Sequence, residues 1–179
     1  MERTEVRIAG FGGQGVVLAG VLLGQAAVQD GRQAVQTQSY GAEARGGAAR
    51  SEVIIADEPI VYPEVFAPQV MAVLSQPALD RYLAELPAGA TLIVDAELVS
   101  QVPELPQTRV LRGAFARVAG GELGRLIVAN MVMLGFLARA TGLVTLASLR
   151  EAVRRGVPPG TAELNLQAME RGMQMATFV

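Results

Sequence analysis

VRIAGFGGQGVVLAGVLLGQAAVQ, residues 6–29, turns a short apolar run into a glycine-rich corner and then into a long apolar stretch. A strand of Glu5 to Ala9 ends at Gly10, Gly12 to Gly15 form the corner, and Val16 to Gln29 read as a helix. That helix is apolar on most faces, as expected of one lying against a sheet. Gly20 and Gly24 sit four apart on one of its faces and predict close approach to a neighbouring element. Strand, tight corner and helix are also the parts of a phosphate-cradling turn, because the helix start offers free N–H groups and positive potential.

Outward from that stretch the pattern repeats. Ala34 to Gln38, Ala49 to Ala56, Gln69 to Leu74, Ala90 to Asp95 and Val110 to Gly113 read as strands, with a short hairpin return at Ile60 to Tyr62. Helices are expected at Pro77 to Leu86, Ala114 to Gly120, Gly124 to Ala140, Thr145 to Arg155 and Ala162 to Met175. Thr161 and Glu163 suggest a capped entry to the last of these. Strands alternating with helices predict an α/β fold, a three-layer α/β/α sandwich with a largely parallel, Rossmann-like sheet. No repeat, low-complexity tract or linker interrupts it, so residues 1–179 are expected to form a single domain.

Composition removes much chemistry. The 179 residues contain no Cys and no His, and all fifteen cations are Arg, since Lys is also missing. Disulfides, thiolate nucleophiles and cysteine-held clusters are therefore excluded, as are imidazole bases and lysine Schiff bases. A self-sufficient enzyme would have to work with Asp, Glu, Ser, Tyr or Arg alone, and no catalytic residue and no metal site is assigned to this chain. With a net charge of −2 and no basic block, nucleic acid is not an expected partner. No uncharged apolar run reaches the ~20 residues that span a bilayer, so no membrane partner is expected either. MERTEVRIAG lacks an apolar signal core, and the expected location is the cytoplasm. Apolar residues make up 51% and charged ones 18%, which predicts exposed subunit surface and self-association of the isolated chain, through Asn130 to Leu137 and Ala168 to Met175.

Two motifs carry the site. Gly10, Gly12 and Gly15, with Gly13 and Gln14 between them, have the G-x-G-x-x-G spacing. Dinucleotide binding needs an acid at the end of the second strand. That strand runs into Gln36, Thr37 and Gln38, and Asp30 comes too early. The glycines either admit a phosphate or merely permit tight packing. The second motif is Ser39, Tyr40, Gly41, Ala42, Glu43, Ala44, Arg45, Gly46 and Gly47. Arg45 suits a carboxylate or phosphate, with Glu43 orienting it, or the two brace the loop as an internal pair. Loops at strand C-termini face ligands in α/β sheets, so the two motifs are expected side by side. Asp95 also ends a strand and reads chiefly as a cap. Asn130, polar within an apolar helix, must bond to the loops above it. The methionines at 131, 133, 169, 173 and 175 read as core or subunit interface.

With these residues in view the chain resembles the gamma subunit of 2-oxoacid:ferredoxin oxidoreductases. The likeness rests on Gly10 to Gly15, Tyr40 to Gly47, Ser51 to Ile55, Asn130 to Gly135 and Glu163 to Asn165, and runs from residue 6 to about residue 175. It implies one part of an enzyme. Alpha and beta chains of such complexes carry thiamine diphosphate, and iron–sulfur clusters sit in beta or a ferredoxin-like delta chain. Together they decarboxylate a 2-oxoacid, pass two electrons to ferredoxin and transfer the acyl group to coenzyme A. For this chain the resemblance implies no activity alone and a contribution to the coenzyme A side of the site. TQSYGAEARGGAARSEVI looks nearest to the 2-oxoglutarate branch, with pyruvate and branched-chain oxoacids next. Two other readings stand beside it: a stand-alone dinucleotide-dependent oxidoreductase, and a scaffold without ligand.

Overall fold

A computed structural model of the chain describes residues 3–40 and 48–176. Six strands, β1 (Arg3–Phe11), β2 (Gln33–Tyr40), β3 (Ala48–Ala56), β4 (Val70–Val73), β5 (Thr91–Asp95) and β6 (Arg109–Gly113), form one sheet in the order β2-β3-β1-β4-β5-β6. The sheet is mostly parallel, as expected, but β3 runs against both β1 and β2. β2 and β3 thus form a hairpin-like pair at one edge, where the sequence pattern alone left direction open.

Helices cover both faces, giving the expected three layers. On one face lie α1 (Val16–Gln29), α4 (Ala129–Thr141), α5 (Leu146–Gly156) and α6 (Ala162–Met175). Their cores meet Val6, Ile8, Val53, Ile55, Ala72 and Ile93 of the sheet. The other layer is thinner. It holds α2 (Gln76–Tyr82), a 3₁₀ turn at Leu83–Glu85 and the chain around Val99 and Leu105, packed on Ala9, Met71, Val73, Leu92 and Val94.

Glycines set two of the closest approaches. A methyl on Gly20 would lie 2.0 Å from Ser51 Oγ, so α1 rides directly on β3. A methyl on Gly135 would lie 1.9 Å from Met169 O, and one on Gly172 1.8 Å from Val132 O, so α4 and α6 cross backbone to backbone. Met131, Met133 and Met169 are fully buried there. The expectation that these two helices offer docking surface is therefore corrected: they spend their apolar faces on each other.

Other boundaries move for local reasons. Ile60 to Tyr62 form no strand, and their segment is held instead by Arg3, which donates to Tyr62 O and Glu64 O. The helix expected from Gly124 begins only at Ala129, after a 3₁₀ turn at Leu126–Val128, because Gly124 has φ +67° and Arg125 is extended. Ala114 to Gly120 resolves into the short α3 (Phe115–Arg117) and a π-helical turn at Val118–Glu122. Thr161 makes no side-chain cap and donates to Pro158 O instead, so the capped entry to α6 is not formed. Thr145 does cap α5, accepting from Ser148 N at 3.2 Å.

Candidate functional site

The first motif folds as a corner braced by its own glutamine. Gln14 N donates to Phe11 O at 3.1 Å. Its side-chain Oε1 accepts from Phe11 N at 2.6 Å, and Nε2 donates to Leu74 O at 3.0 Å. One carboxamide thus ties the corner to the ends of β1 and β4. A methyl on Gly10 would fall 2.4 Å from that Oε1, so Gly10 is glycine to seat Gln14. Gly13 and Gly15 are needed for their backbone, with φ of +95° and +72°. Gly15 also seats Asn130, whose Nδ2 donates to Gly15 O at 3.0 Å and whose Oδ1 accepts from Met131 N. That meets the demand of a buried amide inside an apolar helix.

Gly12 is different. Its φ is not positive, and a methyl there would meet nothing within 4 Å among the described residues. Neither strain nor packing accounts for glycine at that position. A methyl on Gly13 would likewise meet nothing. The corner thus presents bare backbone at the start of α1, a helix with no capping side chain and no acid in its first turn. The first N–H groups of a helix have no intrahelical acceptor, and the dipole there favours negative charge. Apolar walls flank this spot. One cavity of about 200 Å³ is lined by Gly13, Gln14, Leu74, Leu98, Leu126 and Ile127. Another, of about 220 Å³, lies by Gly15, Leu18, Ile127, Asn130 and Asn165. Leu126 and Ile127, which sequence reasoning passed over as part of a helix, are exposed between them.

The second motif reaches the same sheet edge. Ala48, which opens β3, pairs with Phe11, and Ala49 pairs with both Gly10 and Tyr40. Gly41, Glu43, Arg45, Gly46 and Gly47 lie outside the described residues. Ser39 and Tyr40, expected in the loop, are the exposed last residues of β2. β3 separates them from the corner, a step of about 10 Å across two strand spacings. Tyr40 shares the α1 face with Gly10, while Ser39 shares the other face with Arg50.

Two acids weighed as ligand groups are committed elsewhere. Asp95 is fully buried; its Oδ1 accepts from Glu97 N and Leu98 N, and its Oδ2 from Ala116 N. Asp30, at the far end of α1, accepts from Thr145 N and Oγ1 and from Ser148 Oγ. Partial burial pushes its carboxyl up, but these bonds and the Arg32 charge outweigh that and hold it below the ordinary carboxylate value. Fourteen helical residues, about 21 Å, separate it from the corner, so it does not serve as a ribose acid there.

Sequence reasoning also missed a buried charge network on the thinner side. Arg7, 1% exposed, donates to Glu52 Oε1 at 2.6 and 2.9 Å and to Glu85 Oε2 at 2.6 Å. Its guanidinium and that of Arg50 lie over the Tyr82 ring. The signal was present: a single Arg in VRIAG and a single Glu in SEVIIA are charges in otherwise apolar strands, and buried charges come in pairs. Among the described residues no group of three or more acidic residues is placed to hold a metal, and no helix is long and apolar enough to cross a membrane.

The pyruvate ferredoxin/flavodoxin oxidoreductase family model matches residues 5–175. The chain is 49% identical to the 2-oxoglutarate synthase subunit KorC of Methanothermobacter marburgensis, over 97% of this chain and 96% of the relative. It superposes on the gamma subunit of a keto/oxoacid ferredoxin oxidoreductase from Geobacter sulfurreducens with a TM-score of 0.86 and 41% identity, covering 98% and 99% of the two chains. A 2-oxoglutarate:ferredoxin oxidoreductase from Magnetococcus marinus, solved with 2-oxoglutarate, coenzyme A and succinyl-CoA, shares the fold at a TM-score of 0.87 and 19% identity. This chain spans 32% of that longer one. The chain belongs to the pyruvate ferredoxin/flavodoxin oxidoreductase family.

Proposed function

We propose that this chain is the gamma subunit of a 2-oxoacid:ferredoxin oxidoreductase that uses 2-oxoglutarate, and that its Gly12–Gly15 corner binds an anionic group of coenzyme A. The observation that carries the site is the bare backbone at Gly12 and Gly13 over the uncapped start of α1. A phosphate there meets free N–H groups and a favourable dipole without displacing any side chain. Arg45, with Glu43 to orient it, supplies the fixed positive charge from the segment between β2 and β3. Gly10, Gln14 and Gly15 hold the corner in shape, and Ser39, Tyr40, Gly41, Gly46 and Gly47 are the second motif's further candidates for the same ligand.

The division of labour follows the family resemblance, and composition agrees with it. The overall reaction converts a 2-oxoacid anion, coenzyme A and two oxidised ferredoxins to carbon dioxide, the acyl-CoA, two reduced ferredoxins and a proton. As the resemblance implies, thiamine diphosphate belongs to the alpha and beta partner chains and iron–sulfur clusters to beta or delta, and a chain without Cys has no thiolate to hold such a cluster. Its own part is to bind and orient the acyl acceptor and to complete the assembly. The 2-oxoglutarate assignment rests on relatives such as KorC. Residues 1–179 are read as one domain because one sheet gathers strands from Arg3 to Gly113 and α6 closes its larger face.

Steady-state kinetics of the assembled complex test this reading. Arg45→Ala should raise KM for coenzyme A and leave KM for the 2-oxoacid unchanged. Gly12→Val should do the same by covering the bare backbone. Unchanged KM for coenzyme A in both variants, with assembly intact by gel filtration, would refute the site. Turnover of 2-oxoglutarate by the pure chain would refute the subunit reading itself.

A further inference from the structure

We propose that β2 is an interface between two copies of this chain, paired strand to strand about a two-fold axis so that two six-stranded sheets become one. β2 is the outermost strand and is paired, among the described residues, only with β3. In an antiparallel pair, alternate residues turn N–H and C=O away from the partner. Half of an eight-residue strand therefore offers open backbone at the sheet edge.

Folded proteins block such edges with charges, proline or bulges. The opposite edge obeys that rule: β6 reads RVLRG and exposes Arg109 and Arg112. β2 does not. QAVQTQSY contains no charge, no proline and no glycine, and pairs with β3 in unbroken register from Gln33 to Tyr40.

The occupant follows from charge. α1, which lies over β3 beside β2, is also without a charged residue. A groove of about 510 Å³ between them is lined by Val21, Gln25, Val28, Ala34 and Gln36, with Arg155 at its end. Glu151 pairs with that guanidinium at 2.5 Å, so the lining stays close to neutral. Val28 is 56% exposed there. A neutral strand beside a neutral groove gives a charged partner nothing to pair with, but it meets a second copy of itself without repulsion. A two-fold interface must be self-complementary in this way. An axis perpendicular to the sheet keeps each face matched and sets both α1 helices on the same side. Two registers give the greatest overlap, seven residues each: one centred on Gln36 and spanning 33–39, the other on Thr37 and spanning 34–40.

The chain has no cysteine, so a single substitution places one thiol per copy. At the axis, residues face themselves at about 4.5–5.5 Å between Cα atoms, within disulfide range. Sedimentation of the unmodified full chain should show a dimer at micromolar concentration. Under mild oxidation Thr37→Cys or Gln36→Cys should yield a disulfide-linked dimer, while Arg109→Cys on the opposite edge should not. Gln38→Lys, at an exposed site, should leave circular dichroism unchanged and weaken the dimer about threefold in the register centred on Thr37, which sets the two added charges on a diagonal about 7–8 Å apart. A monomer, a dimer that links through Thr37→Cys yet is indifferent to Gln38→Lys, or failure of both central cysteines to link would each overturn the proposal. None of these readouts involves coenzyme A, so the site reading above stands or falls separately.

Discussion

Three alanine substitutions within four residues should separate backbone strain from packing at the corner. Each replaces glycine and so restricts the unfolded chain to a similar extent, a shared gain of about 0.4–1 kcal/mol. Gly12→Ala adds nothing else, since its φ is not positive and its methyl meets open space among the described residues. Gly13→Ala adds the cost of a left-handed backbone at φ +95°, about 1–2 kcal/mol. Gly15→Ala adds that cost at φ +72° and also drives its methyl to 2.3 Å from Asn130 Nδ2. Asn130 must leave, and the bond to Gly15 O, worth about 1 kcal/mol, is lost. Gly15→Ala should therefore be about 2–3 kcal/mol less stable than Gly12→Ala. In a chain of this size that is about 4–12 °C in melting temperature. Urea and thermal unfolding followed by circular dichroism measure both quantities. In the double variant with Asn130→Ala the clash is gone, so Gly15→Ala should cost less there than alone. Equal stability of Gly15→Ala and Gly12→Ala would refute the account of how α4 holds the corner.

Elsewhere, Gly172→Ala presses a methyl to 1.8 Å from Val132 O, a backbone atom that cannot swing aside, and should cost about 1–3 kcal/mol or more; an unchanged urea midpoint would contradict the α4–α6 crossing. Arg7→Met leaves the buried Glu52 carboxylate with only the longer 3.8 Å contact to Arg50 and should cost about 2–4 kcal/mol, whereas Glu85→Gln, at the half-exposed end of the same network, should cost about 0–1 kcal/mol. Equal losses in those two variants would mean that burial does not set the strength of this network. Asp30, whose carboxyl is held below its ordinary value in the fold, stabilises the fold above the unfolded-state pKa, and that contribution is lost as pH falls through the lower folded value. Stability measured from neutral to acid pH should therefore fall less steeply in Asp30→Asn, and identical slopes would show that the Thr145 and Ser148 bonds do not favour the charged form.

Much of the architecture was legible along the chain. Periodicity and glycine placement located β1, the corner and α1, because a strand that must turn at once into a helix needs residues free of Cβ constraints. Asn130 is legible as a residue bonded to the loops, since a buried polar side chain in an apolar helix must find a hydrogen-bond partner. What escaped was pairwise. Gln14 gave no sign that it would bridge β1 and β4, and Gly10 gave none that its role is to make room for that bridge. Leu126 and Ile127 looked like more helix, because an apolar run does not reveal that Gly124 and Arg125 will turn it outward.

By itself the sequence determined the alternation of the six main strands with helices, which chemistry is excluded by the missing Cys, His and Lys, and that two glycine-rich motifs follow predicted strands. Those are local properties, written in the residue types and their spacing. Tertiary structure alone decided that β3 runs antiparallel, that α4 and α6 cross backbone to backbone at Gly135 and Gly172, and that β2 is the edge strand among the described residues. Direction, partner and edge depend on contacts between segments far apart in the chain. An apolar face looks the same in sequence whether it meets its own core or another molecule, and only packing reveals which.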